Sequence, residues 1–420
     1  MRELAAYLTR LDQEILMPEA VIVSVARSPI GRAMKGSLVS MRPDDLSVQM
    51  VQAALAKVPE LDPRTIDDVM LGCGQPAGEG GFNLARVVAV LAGLDTLPGV
   101  TVNRYCSSSL QTTRMAFHAI KAGEGRAFIS AGVETVSRFA AGFADAGPQN
   151  PVFADAVART ATRTAGGAPA WTDPRESGEL PDIYIAMGQT AENVAQATGI
   201  TRAEQDEFGV RSQNLAEAAI ANGFWAKDIV PVTLPDGTVV SADDGPRAGV
   251  TLEGVSGLNP VFRPDGTITA ANACPLNDGA AAVIIMSSTR AAELGLTPLA
   301  RIVSTGVSGL SPEIMGLGPI EATRRALALA GMTIDDIDLA EINEAFAVQV
   351  LGSARELGIP MDKLNVNGGA IAIGHPFGMT GARITSTLVN SLAFHDKQIG
   401  LETMCVGGGQ GMAMIIERLS

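Results

Sequence analysis

A chain of 420 residues, 46% hydrophobic and only 18% charged, has apolar surface enough for two or three domains and falls outside the disordered class and the small disulfide- or metal-stapled scaffolds. Its formal charge of −14 excludes the clustered positive surface that a nucleic-acid backbone requires. Cys73, Cys106, Cys274 and Cys405, with His118, His375 and His395, are too scattered for a zinc or iron–sulfur signature. No apolar run of about 18 residues offers a membrane span, and the free thiols suit a reducing cytoplasm.

Residues 1–16 place Leu4, Leu8, Leu11 and Ile15 at helical spacing among acidic residues, without a secretory cleavage pattern, and read as a dispensable N-terminal extension. A β-rich run from Ala20 to Val25 opens the first half. A helical pattern over Asp44 to Lys57 follows, then an extended stretch at Val100 to Val102. Next comes a helix with Leu110, Thr113, Phe117 and Ile120 on one face and Gly123 as its stop. From Arg138 to Asp265 the composition turns to Pro, Gly, Ala and Asp, with helices at Gln189 to Ala197 and Arg202 to Asn222. So long an insertion reads as a lid or binding segment. Beyond it the alternation resumes, with a helix over Glu321 to Ala330 and a strand over Leu339 to Ile342.

The two halves echo each other. Thr65 to Gly74 resembles Thr333 to Ile342, Asn103 in TVNRYC pairs with Asn367 in NVNGGA, and AFISAGVET after Ala127 is similar to TMCVGGGQG around Cys405, all in the same order. Collinear echoes predict a duplicated α/β domain. Residues 17–137 plus 266–290 would form the N-terminal half, 138–265 an inserted loop domain and 291–420 the C-terminal half.

Cys106 lies where an extended stretch meets a helix, so the free N–H groups and dipole of the helix start would favour its thiolate; a buried inert cysteine is the alternative. His375 sits on a glycine-rich turn with Pro376 at a natural first helical position, where it can reach a reacting group or serve structure alone. Asn343, between a strand and a helix carrying Phe346, Val350 and Ala354, is explained by an N-cap or by holding a water or carbonyl oxygen. After Cys405 and Val406, the run Gly407, Gly408, Gly409, Gln410, Gly411 offers bare amides suited to an oxyanion hole. No helix-opening G-x-G-x-x-G follows that would make it a dinucleotide loop.

Together NRYCSSS, NEAFA, GGAIAIGHPFGMTGAR and CVGGGQG resemble the signature blocks of the thiolase family, the 3-ketoacyl-CoA thiolases and acetyl-CoA acetyltransferases. VARSPIGR, MGQTAENVA at Met187 and NDGAAA at Asn277 extend the likeness from about Glu19 onward. The resemblance implies a thiolase-like fold, two duplicated α/β halves in a layered α-β-α-β-α core with an inserted loop domain. It implies Cys106 as acyl-accepting nucleophile, His375 as its base and Cys405 as the acid/base for the α-proton. Asn343 would hold a water that forms one oxyanion hole with His375, and the N–H groups of Cys106 and Gly407 would form the other. Arg247 in GPRAGVT and Phe262 in VFRPDG match the adenine side of coenzyme A, with Met187, Cys274 and Phe346 completing the implied binding set.

Two positions depart from the family pattern. Asn272, Ala273 and Cys274 stand where many members read NAS, and Ala186 stands where acetoacetyl-specific members carry a histidine, which would widen the acyl pocket. The implied activity is degradative thiolysis of 3-ketoacyl-CoA through an acyl-cysteine, with coenzyme A as substrate and no permanently bound cofactor or metal. The implied assembly is a cytoplasmic homodimer or homotetramer, with a fatty-acid oxidation multienzyme as a further partner. The alternatives are an acetyl-CoA C-acetyltransferase forming or cleaving acetoacetyl-CoA and an inactive partner subunit of an oxidation complex. The second needs a lost catalytic residue, and none is lost; the second cysteine speaks against a β-ketoacyl synthase.

Overall fold

Strand β1 (Ala20–Arg27) is buried on both faces: Ala20 and Ile22 enter one apolar cluster and Val21 and Val23 another, as the two-residue period requires of a strand between two layers. The computed structural model describes residues 18–420, so the extension over residues 1–16 lies outside the described residues. The remaining long strands are β2 (Asp68–Cys73), β3 (Gly99–Val102), β4 (Ala127–Thr135), β5 (Asn277–Ser287), β6 (Ala300–Gly309), β7 (Leu339–Ile342), β8 (Ile399–Val406) and β9 (Gln410–Arg418). They join in the order β7-β8-β9-β6-β1-β5-β4-β2-β3.

That order reads identically outward from its centre. From β1 it runs β5, β4, β2, β3, and from β6 it runs β9, β8, β7, with a single parallel bridge from Ala340 to Leu364 where the first half has β3. Only two residue pairs, Val21 with Arg301 and Ile22 with Ala300, connect the halves through β1 and β6. Asp67 and Asp338 occupy matching places: each carboxylate accepts two backbone N–H groups, from Arg126 and Ala127 in one half and from Gln398 and Ile399 in the other. The structural repeat is therefore displaced by three residues from the matching TIDD letters, which begin at Thr65 and Thr333.

Helices α1 (Pro43–Ala56) and α2 (Leu84–Leu91) cover the outer face of the first half. Helix α3 (Ser108–Ala122) lies inside. The insertion carries α4 (Ala154–Thr164), α5 (Met187–Thr198) and α6 (Arg202–Ala221), the latter two close to the ranges expected from sequence. Helix α7 (Gly318–Ala330) covers the outer face of the second half beside α8 (Ala347–Leu357), while α9 (Thr380–Phe394) packs on α3 between the two sets of strands. The layers are α-β-α-β-α, a mixed α/β architecture.

Contact between α3 and α9 is backbone to backbone. A Cβ on Gly381 would lie 2.1 Å from the Leu110 nitrogen; on the strands beside this crossing, one on Gly72 would lie 2.3 Å from the Ser109 nitrogen of α3 and one on Gly132 2.2 Å from the Gly378 carbonyl oxygen of the loop entering α9. Ala382 N–H donates to Ser109 Oγ at 2.9 Å across the same crossing. Gly381→Ala should therefore destabilise the fold by about 1–3 kcal/mol through overpacking. Gly257→Ala, where a Cβ meets nothing within 4 Å, should stay within about 0.5 kcal/mol of the parent. Denaturant unfolding of the two variants checks this, and equal stabilities would contradict the close contact.

Candidate active site

Cys106 occupies the short turn Tyr105–Ser107 that leads into α3. Tyr105 takes a left-handed φ of 43°, a strained conformation for a residue with a side chain. It is held there by its N–H donating to Asn103 Oδ1 at 2.8 Å and its hydroxyl to Asp145 Oδ1 at 3.0 Å. The N–H groups of Gly407 and of Cys106 itself face the Cys106 sulfur and favour its ionised form, but burial outweighs them and pushes the thiol up to about 11. The bias toward thiolate expected at the helix start is present in these N–H groups but is outweighed by burial.

His375 lies on the loop that enters α9, its N–H donating to Asn277 Oδ1 at 2.9 Å. Thr380 Oγ1 has one proton and two neighbours: Pro376 O at 2.7 Å, which can only accept, and His375 Nδ1 at 2.6 Å. Thr380 donates to Pro376 and so accepts from Nδ1–H, which leaves the ring's lone pair on Nε2. Burial, helped by the nearby Arg383 charge, lowers the imidazole to about 3. Asn343 Nδ2 lies 3.3 Å from Nε2, and its Oδ1 is buried without a protein partner. Asn343 is not an N-cap, because α8 begins at Ala347 with Phe346 in the cap position.

Cys405 is fully buried at the end of β8, and Cys106, Cys274 and Cys405 lie within electrostatic reach of one another. Burial raises the Cys405 thiol well above the ordinary range and the Cys274 thiol with it. Gly408 and Gly409 beyond Cys405 take positive φ values of 76° and 79°, and a Cβ on Gly409 would strike the Leu310 carbonyl oxygen at 2.4 Å. The glycine run is thus a turn requirement that leaves the Gly407 N–H directed at Cys106.

A cavity of about 430 Å³ opens onto Cys106, its lining including Met187, Phe377, Gly407, Gln75, Asp145 and Ile183. His375 stands edge-on to Phe377, ring centroids 5.3 Å apart, one layer behind this wall. Phe262 and Phe346 meet edge to face at 6.1 Å, and Phe262 covers Gly188, where a Cβ would lie 2.3 Å from its ring. The structure therefore gathers Cys106, Gly407 and Met187 at one cavity, leaves His375, Asn343, Cys405 and the half-buried Cys274 outside its lining, and sets Phe262 against Phe346. Arg247 stands apart on the surface, its backbone N–H donating to Gln213 Oε1 at 2.9 Å. Ala186 is exposed at the start of α5 and does not line the cavity, although its neighbours Ile185 and Met187 do; the expectation that Ala186 itself enlarges the pocket is corrected.

Three groups escaped the sequence reading. Thr380 and Asn277 orient His375, and neither differs in type from ordinary helix and strand residues. Glu134 is buried, accepting N–H groups from Gly74 at 2.8 Å, Gln75 at 3.2 Å and Gly378 at 2.9 Å, so it ties a loop of the first half to the His375 loop of the second. Burial pushes its carboxyl up to about 7. An acidic residue closing the apolar strand AFISAGVET was the available signal. Among the described residues no group of three or more His, Cys, Asp or Glu side chains is placed to hold a metal, and no helix is long and apolar enough to cross a membrane.

Because burial favours neutral imidazole, the folded state takes up the His375 proton only near pH 3, whereas the unfolded chain does so near the ordinary ~6.5. His375 thus lowers stability as pH falls through that window. Nitrogen-15 NMR of the three histidines should show one that keeps its proton on Nδ1 and does not titrate between about pH 7 and pH 5. Thr380→Val should abolish that tautomer preference. A His375 charged at pH 6 would contradict the assignment.

Residues 20–289 match the family model described as thiolase, N-terminal domain, and residues 296–418 match thiolase, C-terminal domain. The chain is 43% identical over 414 residues to a 3-ketoacyl-CoA thiolase of Bacillus subtilis (strain 168), covering 96% of this chain and 100% of that protein. It is also 43% identical to an acetyl-CoA acetyltransferase of Escherichia coli (strain K12) and 44% identical to a beta-ketoadipyl-CoA thiolase of Escherichia coli, with the same coverage. The crystal structure of the Bacillus anthracis acetyl-CoA acetyltransferase superposes with a TM-score of 0.83 at 40% identity, covering 96% of this chain and 99% of that one. With both family models matched in order across nearly its whole length, on a fold of two like halves, this chain belongs to the thiolase family of acyltransferases.

Proposed function

We propose that the protein is a 3-ketoacyl-CoA thiolase that cleaves its substrate with coenzyme A through an acyl-Cys106 intermediate. The observations that carry this reading are a buried Cys106 thiol facing the Gly407 N–H at a cavity and, on the loop entering the helix that packs against the Cys106 turn, a buried His375 whose Nδ1 is tied to Thr380 so that its lone pair is on Nε2. His375 Nε2 takes the Cys106 proton, and the thiolate attacks the C3 ketone. The C2–C3 bond breaks, and the departing acetyl-CoA enolate takes the Cys405 thiol proton at its α-carbon. Burial keeps Cys405 protonated beforehand, as an acid must be. A coenzyme A thiol then yields its proton to the Cys405 thiolate and attacks the acyl carbonyl, and Cys106 regains its proton from His375.

Two carbonyl oxygens become charged in turn. The amides of Cys106 and Gly407 serve one, and a water on Asn343 with His375 serves the other, each donor supplying ~3 kcal/mol. Met187, Phe262, Phe346 and Cys274 line the approach of the pantetheine and adenine, and Arg247 meets the nucleotide. The cavity beside Cys106, rather than Ala186, supplies room for an acyl chain. The acetyl-CoA C-acetyltransferase reading uses the same residues and is favoured by the likeness to the Bacillus anthracis structure. A homo-oligomer is supported by the open outer edge of β3 and by Phe82, 97% exposed beside it.

Incubation with a 3-ketoacyl-CoA in the absence of coenzyme A should leave an acyl mass on the Cys106 peptide, and an acyl group on Cys405 or Cys274 alone would overturn the assignment. Cys405→Ser should suppress deuterium exchange at the acetyl-CoA methyl far more than acylation of Cys106; equal loss of both would contradict separate roles. Arg247→Ala should raise the KM for coenzyme A several-fold with turnover at saturation nearly intact. An unchanged KM would return Arg247 to the solvated surface.

A further inference from the structure

The cavity beside Cys106 has a one-sided charge. Among the residues lining it Asp145 is the charged side chain, and none is Lys, Arg or His. Its carboxylate is held in place: Oδ2 accepts from Gln75 Nε2 at 2.6 Å, Oδ1 accepts from the Tyr105 hydroxyl at 3.0 Å, and the Asp145 N–H donates back to Gln75 Oε1 at 3.0 Å. The nearest basic side chains on the same segment are engaged elsewhere, Arg138 with Glu79 and Arg159 with Glu179. Tyr105 is the residue before the candidate nucleophile, so the anion is fixed relative to the reacting sulfur rather than on a free tether.

An acyl tail ending in a carboxylate would enter this cavity without a counter-charge and would meet the Asp145 anion, a solvent-exposed residue held in the wall, where like charges disfavour each other. A tail ending in a methyl group meets Ile183, Ile185 and Met187 with no such opposition. We propose that Asp145, clamped by Gln75 and Tyr105, makes the protein select 3-ketoacyl-CoA substrates with neutral tails and reject those carrying a terminal carboxylate. This rests on the reading of the cavity as the acyl site of a Cys106-dependent thiolase. Overall identity does not decide it, since relatives named for beta-ketoadipyl-CoA and for 3-ketoacyl-CoA stand at 44% and 43%.

The test compares kcat/KM for 3-ketohexanoyl-CoA and 3-oxoadipyl-CoA, which share six acyl carbons and differ in the terminal group. The parent enzyme should prefer the neutral substrate several-fold, and Asp145→Asn should bring that ratio toward one. Gln149→Lys, which sets a cation in the lining of the same cavity at a residue outside the clamp, should narrow it as well and serves if the first variant misfolds. Equal or better cleavage of 3-oxoadipyl-CoA by the parent overturns the proposal, as does a ratio unmoved in both variants, while the thiolase reading stands. Cleavage of neither substrate, with no acyl mass on Cys106, overturns the underlying reading instead.

Discussion

Everything at the candidate site depends on two helix starts from different halves of the chain touching at the backbone. Gly381 of α9 meets the backbone of α3 where the two helices cross, Gly72 of β2 meets the start of α3, and Gly132 of β4 meets Gly378 of the loop entering α9, each with no room for a methyl group. The residue preceding α3 is thereby brought into the same region as the loop preceding α9. Side chains of ordinary size at these positions would push α3 and the loop entering α9 from their places, and the thiol and imidazole would move with them. Glu134 reinforces the arrangement by taking amides from both loops onto one carboxylate.

Burial then sets the chemistry of the groups so assembled. Desolvation raises Cys106, Cys405 and Glu134 and lowers His375, so the thiols and the imidazole rest uncharged. A neutral thiol and a neutral imidazole avoid holding an ion pair in an apolar interior before substrate arrives. In the proposed reaction, charge is created only when a carbonyl carbon is present to receive it, beside the Gly407 and Cys106 amides. The hydroxyl of Thr380 contributes by fixing which ring nitrogen is free.

Much of this was legible in the sequence because it resides in short segments. The extended stretch before Cys106, the glycine run after Cys405 and the turn at His375 each carry their local geometry in residue type. The order of the repeats was legible as well, although its register was not: Asp67 and Asp338 correspond through backbone hydrogen bonds rather than through the letters around them. The central position of α3 and α9 was hidden because their buried faces are rich in Ser and Thr. Those hydroxyls pair internally, Thr112 and Thr113 with Ser130 and Thr385 with Glu402, so polar composition did not mean exposure. The clamp of Gln75 on Asp145 spans distant segments, and no periodicity could join them.

The placement of β5 governs how the chain reaches this state. It pairs with β1 on one side and β4 on the other, so the first half's sheet closes around a strand from the far end of the insertion. During synthesis the edges of β1 and β4 stay unsatisfied until Asn277–Ser287 has left the ribosome, a loop closure of high contact order. The insertion must therefore emerge before its host is complete, and the open edges are exposed to wrong pairing in the interval. Assembly of the first half is timed by translation of the segment that interrupts it.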